Sequence, residues 1–223
     1  MNPQQFVENL ATLTFEDTFN PYADRCIIYD YDDAPMRRRN VLLAILQVAV
    51  ESNIDAIWIG RDLGYRGGRR TGLALTDDVH MQAHAERWGI PISRPTKGEI
   101  VAERTAAVIW DVLSQIDTHI FLWNVFPLHP HQTAEPFTNR SHNVRERRAG
   151  EELLYTLIEL LKPRRLIAIG NDAADTARRL CEHTTVTQVR HPSYGGQTQF
   201  LSAMYDLYSL RHSNTQCQLF LDT

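Results

Sequence analysis

The sequence predicts a three-layer α/β fold in which a central, mostly parallel four-stranded sheet is covered by helices on both faces. Apolar runs of strand length alternate along the chain with longer segments of helical periodicity, an order typical of parallel sheets. Each apolar run ends at a glycine or a polar residue. The 223 residues, 43% of them hydrophobic and 22% charged, suit one domain over 1–223 with a full-sized core.

The first half of the chain supplies a helix, a strand and two further helices. Apolar residues recur at helical spacing and predict a helix over 36–52. The short apolar run 55–60 ends at a glycine and predicts the first strand. A glycine-rich loop follows, in which the backbone can adopt unusual dihedral angles. Helical periodicity then predicts a short helix over 79–88 and a long one over 99–116.

The middle of the chain contains a strand, a loop and a strongly amphipathic helix. The apolar run 118–124 predicts the second strand, which ends at an asparagine. Three prolines interrupt 125–143, so we predict a loop there. Helical spacing over 145–161, closed by a proline two residues later, predicts the next helix.

The last part of the chain repeats the alternation of strand and helix. The run 165–170 predicts a third strand that ends at glycine, and Asn171 is predicted to be the N-cap of a helix over 172–181. A fourth strand over 184–189 and a final helix over 197–210 complete the pattern. Parallel strands joined by helical crossovers give a sheet covered on both faces.

The charge of the chain is slightly negative, and its cations are nearly all arginine. The formal net charge is −4, which argues against binding nucleic acid through bulk positive charge. Of 23 cationic residues, only Lys97 and Lys162 are lysines. Arg66, Arg69 and Arg70 are expected to be solvated, with some contact to phosphate. Arginines crowd two loops, and a single face formed by them would suit a phosphate backbone. These arginines are Arg61, Arg66, Arg69 and Arg70 in one loop, and Arg140, Arg145, Arg147 and Arg148 in the other.

Several classes of protein are excluded by what the sequence lacks. No apolar stretch is long enough to cross a bilayer, and the first residues lack the pattern of a secretion signal. Cys26, Cys181 and Cys217 lie far apart and form neither a disulfide framework nor a metal site. We therefore expect a cytoplasmic protein without membrane contact, metal or cofactor.

Polar side chains follow the predicted strands at the edge of the sheet where ligands bind. Asp62, Asn124 and His191 each stand at or just beyond the carboxyl end of a strand. A carboxylate can orient water or stabilise a developing cation, and a carboxamide can read a donor–acceptor edge. An imidazole can stabilise an anionic leaving group. These three residue types favour a hydrolytic site that also recognises a heterocycle.

The motifs around these residues resemble the uracil-DNA glycosylase superfamily over roughly residues 55–200. Gly60-Arg-Asp-Leu-Gly64 resembles the family's first motif, Gly-x-Asp-Pro-Tyr, with leucine in place of proline. Thr71-Gly-Leu-Ala-Leu-Thr76 is similar to its His-Gly-x-x-Phe-Ser segment, and Leu122-Trp-Asn124 matches the strand that ends in the base-reading asparagine. The last motif is intact as His191-Pro-Ser193, and Asn139-Arg140 also resembles the family.

The resemblance implies hydrolysis of an N-glycosidic bond on an extruded nucleotide, with single- or double-stranded DNA as the partner. Asp62 would hold the attacking water, His191 would stabilise the departing base at O2, and Asn124 would read the pyrimidine edge. No lysine lies in these motifs, so a monofunctional enzyme is expected. We also expect the protein to be a monomer. Tyr194 stands where the family has a leucine wedge. The residues expected to contact DNA are Arg61, Arg140, Ser193, Tyr194 and Gly195.

Two departures from the family pattern bear on the substrate. Gly64 stands where the strict uracil branch has the tyrosine that excludes C5 substituents, and Leu75 replaces the stacking phenylalanine. Both changes predict an enlarged base pocket. The expected substrate is uracil or a C5-modified pyrimidine. The alternative is a bulky hypermodified cytosine of phage DNA, such as glucosylated hydroxymethylcytosine, with a role in defence.

Two other classes of function are alternatives to a glycosylase for this sequence. One is a module that retains the fold and binds modified DNA without cleaving it. The joint presence of Asp62, Asn124 and His191 argues against that. The other is a flavodoxin-like or nucleotide-binding α/β protein. The glycine-rich loop lacks both the GxGxxG and the P-loop spacing that this class needs.

Overall fold

The computed structural model describes residues 1–181, 184–193 and 195–210, and these form six strands and eight helices. No helix in this part of the chain is long and apolar enough to cross a membrane. The strands are β1 (Thr18–Phe19), β2 (Ile54–Asp62), β3 (His119–Phe126), β4 (His129–Pro130), β5 (Arg165–Ile169) and β6 (Thr185–Val189). The helices are α1 (Pro3–Thr12), α2 (Ala34–Val50), α3 (Gly68–Thr71), α4 (Met81–Arg87), α5 (Arg104–Leu113), α6 (Val144–Leu161), α7 (Asn171–Leu180) and α8 (Gln197–Tyr208).

The central sheet has four strands in the order β3-β2-β5-β6, and all three pairs are parallel. The predicted four-stranded sheet is therefore confirmed. In the register of β2 and β3, Gly60 lies opposite Asn124 and Asp62 lies opposite Phe126. The carboxyl ends of the two strands thus meet at one edge. A separate two-stranded antiparallel sheet joins β1 to β4.

Helices cover both faces of this sheet, as the sequence predicts. Ile57 and Ile59 of β2 face a buried cluster to which α1, α2, α6 and α7 contribute. Ala56 and Trp58 face the opposite cluster, which α5 and α8 close. This alternation follows from the pleat of a strand, which directs successive side chains to opposite faces. The apolar area that both clusters remove from water is the main source of stability.

Some element boundaries differ from the predicted ones. Helix α5 begins at Arg104, five residues later than predicted, and β3 runs on to Phe126. The prediction that Asn171 caps α7 is wrong, because the N-cap is Gly170, whose φ of +96° turns the chain from β5 into the helix. Asn171 is the first residue of α7, and its side chain accepts a hydrogen bond from Gln188 at 2.8 Å.

Helix α6 has a capping box at its N-terminus and packs closely against the sheet. Asn143 is its N-cap and forms a capping box with Glu146. Gly150 lies against β3, where an added Cβ would stand 2.0 Å from the carbonyl oxygen of Val125. The close contact and the cap together hold the loop before α6 against the end of β3.

The glycine-rich loop after β2 is not the solvated arginine loop that the sequence predicts. Arg69 and Arg70 are buried. Arg69 donates hydrogen bonds to the hydroxyl of Tyr29 at 2.8 Å and to the carbonyl of Pro136 at 2.9 Å. Arg70 pairs with the buried carboxylate of Asp78 at 2.7 Å. These cations hold the loop to the rest of the fold instead of facing a phosphate backbone.

Candidate active site

A cleft of about 720 Å³ opens at the carboxyl ends of the strands. This is the edge at which ligands bind in open parallel sheets. The cleft brings together residues from β2, the loop before α5, the loop before α6 and the loop after β6. The predicted site residues that line it are Arg61, Asp62, Gly64, Leu75, Arg140, His191 and Ser193.

Asp62 ends β2, and both of its carboxylate oxygens have partners. Its Oδ2 accepts a hydrogen bond from Nε of Arg61 at 2.7 Å, and its Oδ1 lies 2.5 Å from Nδ1 of His142. The side chain of Asp62 is only 7% exposed. Since each carboxylate oxygen offers two lone pairs, Asp62 is held in a fixed orientation and can still accept from a water in the cleft.

His142 is a site residue that the sequence does not reveal. It lies directly before the N-cap Asn143, and its ring packs edge-on against Phe126 at the end of β3. Its partner Asp62 is 80 positions away in the chain. The one local signal is the capping box that follows, which predicts where the loop stops. It does not predict which strand end the loop reaches.

The ring of His191 is held by the turn that follows it. Its Nδ1 accepts the backbone N–H of Ser193 at 3.2 Å and lies 2.8 Å from the Ser193 hydroxyl. In the neutral ring the proton is therefore on Nε2. Burial lowers the pKa of His191, and the positive charges of Arg61 and Arg190 lower it further. The cleft consequently holds a neutral imidazole whose Nε2–H can donate.

Asn124 lies deeper than the cleft residues. It is 1% exposed, and its Oδ1 has no hydrogen-bond partner among the residues that the structure describes. Its side chain lies across Gly60, where an added Cβ would stand 2.5 Å from Oδ1. Leaving such an acceptor unpaired costs about 1–3 kcal/mol, so a ligand that supplies a donor here gains that energy.

Leu75 forms the wall beside Asn124 and has a strained backbone. Its φ is +54°, which costs a residue with a side chain about 1–2 kcal/mol. The indole N–H of Trp110 donates to its carbonyl oxygen at 3.1 Å and holds this conformation. Cδ2 of Leu75 would lie 3.0 Å from a Cβ added at Gly60, the same position that Oδ1 of Asn124 approaches. A base moving toward Asn124 would therefore meet Leu75 first.

Gly64 does not leave the open space that the sequence predicts. An added Cβ there would stand 2.9 Å from Oε1 of Glu103, so the carboxyl of Glu103 already occupies the position beside it. Glu103 lines the cleft but belongs to none of the motifs. The predicted pocket enlargement is wrong at this wall, because a carboxyl group fills the volume.

The residues predicted to contact DNA differ in their exposure and in their partners within the protein. The nitrogens of Arg140 donate to Glu146 and to backbone carbonyls, including those of His131 and Asp17, so its guanidinium is committed within the protein. Arg61 remains 42% exposed at the cleft. Gly195 is exposed, and Tyr194 lies outside the described residues.

The described residues also include no cluster of three or more histidine, cysteine, aspartate or glutamate side chains arranged to hold a metal ion. Asp62, His142 and His191 are acid–base and hydrogen-bonding groups. Each has a protein partner that fixes its orientation.

Fold and cleft together define an α/β protein with an aspartate and a neutral histidine facing one site. The model of the uracil DNA glycosylase superfamily matches residues 51–208, well over half of the chain. The chain therefore belongs to this superfamily and is, at the level of the family, a DNA glycosylase that acts on N-glycosyl bonds. The resemblance found in the motifs is confirmed.

Among solved structures, the chain is similar to the crystal structure of wild-type SMUG2 from Pedobacter heparinus. The TM-score is 0.56 with 13% sequence identity, over 94% of this chain and 98% of that one. At this identity the likeness concerns the fold, and it confirms the predicted fold class. No curated protein is similar enough in sequence to match.

Proposed function

We propose that the protein is a monofunctional glycosylase that hydrolyses the N-glycosidic bond of a flipped pyrimidine nucleotide in DNA and leaves an abasic site. One observation carries this proposal: an oriented carboxylate, Asp62, and a neutral imidazole, His191, line the same cleft. Hydrolysis of this bond needs a group that handles water and a group that stabilises a departing anion.

Asp62 serves the attacking side of the reaction. Its carboxylate accepts from His142 and Arg61 and so keeps one orientation toward the cleft. It binds the water that attacks C1′, stabilises the cationic sugar as the C1′–N1 bond breaks, and receives the proton that the water loses. His142 is a positioning residue, because it acts on the reaction through Asp62.

His191 serves the leaving side. The electron pair of the C1′–N1 bond passes to the base, and the anion gathers charge on its O2 oxygen. The Nε2–H of neutral His191 donates to that oxygen, while Ser193 fixes the ring from Nδ1. Asn124, whose buried Oδ1 is unpaired in the described structure, accepts the N3–H of a base that has moved past Leu75.

The substrate in this proposal is uracil or a C5-modified pyrimidine. The bulky phage cytosines and the non-cleaving binding module are the alternatives that the same assay separates. Glu103 beside Gly64 narrows the wall at which a bulky substituent would lie, so it favours a small substituent over a glucosylated one. We expect the protein to act as a monomer.

The test measures base release from matched duplexes that carry uracil, 5-hydroxymethyluracil or glucosylated 5-hydroxymethylcytosine. Alkaline strand cleavage reports the abasic sites. We expect Asp62→Asn to lower the rate of base release by about 10²- to 10⁴-fold, the usual loss when a positioned acid–base group is removed. His142→Gln should lower kcat less than Asp62→Asn, because it changes only the orientation of the carboxylate.

Asp172→Asn is the matched control, since Asp172 also faces the cleft and contacts Arg61, but only at 3.5 Å. It should release base at nearly the unaltered rate. Binding of the duplexes without release of any base would favour the binding module. Equal activity of the Asp62→Asn and unaltered proteins would overturn the mechanism.

A further inference from the structure

Glu103 places a carboxyl group in the wall of the cleft that Asp62 also lines. It lies in the segment just before α5, and its Oε1 and Oε2 extend over Gly64 and Gly67. An added Cβ would stand 2.9 Å from Oε1 at Gly64 and 2.0 Å from Oε2 at Gly67. Because neither glycine has a side chain, the carboxyl of Glu103 occupies the space beside both of them.

Hydrogen bonds fix the backbone of the segment before α5, and they place the carboxyl of Glu103 at the cleft. The N–H of Glu103 donates to Oδ2 of Asp77 at 2.6 Å, and the N–H of Val101 donates to Asp78 at 3.2 Å. Asp77 and Asp78 are themselves buried. Two anchored amides thus hold the segment against the glycine-rich loop and direct Glu103 inward.

The carboxyl of Glu103 differs from that of Asp62 in lacking a partner. Within the described residues, neither of its oxygens has a hydrogen bond, although the side chain is largely enclosed. Burial raises the pKa of Glu103 to about 7, the carboxylate of Asp77 adds to the rise, and Arg66 opposes it. Asp77 is itself paired with His80 at 2.6 Å.

Most of the cleft lining near Glu103 has no polar side chain, and Thr105, two residues further along the chain, is the exception. Gly64, Gly68, Leu75 and Ala106 line the cleft around Glu103. In the proposed function, O2 of the base faces His191 and N3 faces Asn124, so the edge that remains is the C5 edge. In the proposed binding mode that edge lies against the wall at Gly64, which stands where the family has the tyrosine that excludes C5 substituents and beside which the carboxyl of Glu103 lies.

We propose that Glu103 is a specificity-determining residue that hydrogen-bonds a donor group carried on C5 of the flipped pyrimidine. The proposal deepens the proposed function and rests on it. The preferred substrate class is a pyrimidine with a hydroxyl-bearing C5 substituent. A carboxylate accepts a strong charge-assisted hydrogen bond from a hydroxyl group. An alkyl substituent of the same size would remove water from the carboxylate without donating a hydrogen bond to it. Burying a charged group in this way has a free-energy cost.

The experiment compares release of 5-hydroxymethyluracil and of its non-donating isostere 5-ethyluracil, with uracil as the common reference, from duplexes of one sequence. We expect the unaltered protein to release the hydroxymethyl base about 10- to 100-fold faster than the ethyl base, as for a hydrogen bond to a charged group. Glu103→Leu should bring this ratio close to one, because it removes the acceptor for the hydroxyl group.

The ratio should also depend on pH in a way that a structural role would not produce. With its pKa near 7, Glu103 is largely neutral at pH 6 and largely ionised at pH 8. The ionised form is the stronger acceptor, so the ratio should rise between these values. Glu103→Gln, which does not titrate, should give a flat ratio. Asp111→Asn removes an exposed charge from α5 and should behave like the unaltered protein.

The outcomes separate this inference from the proposal on which it rests. If no duplex loses its base, including the one with uracil, the proposed function fails and the inference fails with it. If uracil is released but Glu103→Leu leaves the ratio unchanged, or slows all three substrates equally, Glu103 has only a structural role and the inference alone is overturned.

Discussion

His191 shows at the scale of one residue how the cleft sets a protonation state. Burial lowers its pKa, and Arg61 and Arg190 disfavour a second positive charge nearby. A lowered pKa means that the ring stays neutral at pH values where an ordinary histidine would already be half protonated. The neutral ring keeps Nδ1 as the acceptor for Ser193 and leaves one proton on Nε2.

Removing one of these cations should therefore raise the pKa of His191. We expect the Arg190→Gln protein to titrate its ring at a higher pH than the unaltered protein, which NMR of the histidine rings measures. His191→Asn assigns the signal among the nine histidines. Arg145→Gln is the control, because Arg145 is exposed and is not among the charges that act on His191. A pKa that falls or stays constant in Arg190→Gln would contradict the electrostatic argument.

Single residues also show what a sequence can and cannot predict about a site. Asp62 and His191 were predicted because strand ends meet at one edge, a rule that needs only local patterns. His142, which contacts Asp62, and Glu103, which lines the cleft, lie in loops whose course depends on tertiary packing. The burial of Arg69 and Arg70 escaped prediction for the same reason, since their partners lie in other segments.

At the scale of an element, α6 carries the loop that presents His142. Gly150 lets this helix approach β3 so closely that a Cβ would stand 2.0 Å from the Val125 carbonyl. We expect Gly150→Ala to force α6 away from the sheet and to lower the free energy of unfolding by about 1–3 kcal/mol, as overpacking does. Base release should also fall, because His142 precedes the same helix.

Urea unfolding followed by circular dichroism measures the first effect, and the duplex assay measures the second. The control is Glu152→Ala, an exposed position on the same helix, which should change stability by less than about 0.5 kcal/mol. If Gly150→Ala were as stable as the unaltered protein, the close packing of α6 would not be a constraint.

Elements with strong periodicity were predicted well, and α5 shows why one boundary was missed. The apolar spacing of 99–116 suggests a helix from its first residue, whereas α5 begins at Arg104. The N–H groups of Val101 and Glu103 bond to aspartate side chains, which compete with helical hydrogen bonds. This local competition keeps Glu103 outside the helix, where its carboxyl can reach the cleft.

Across the described part of the molecule, several arginines serve the fold instead of the DNA surface. Arg38 is fully buried with Asp30, and Arg69, Arg70 and Arg140 are committed to internal partners. Breaking such a buried pair strongly destabilises the fold, because it leaves one buried charge without a partner. The richness in arginine is therefore a poor guide to the strength of DNA binding.

The salt dependence of DNA binding should reflect the exposed cations that line the cleft. Arg61 and Arg190 line the cleft and are exposed, so about two phosphates are neutralised, and the slope of log K against log salt concentration should be near −2. Fluorescence anisotropy of the inactive Asp62→Asn protein with a uracil duplex measures the slope. Arg190→Gln in that background should make it shallower by about one, and Arg148→Gln should leave it unchanged. A slope of −5 or steeper would mean that other arginines reach the backbone, and that the cleft alone does not define the DNA surface.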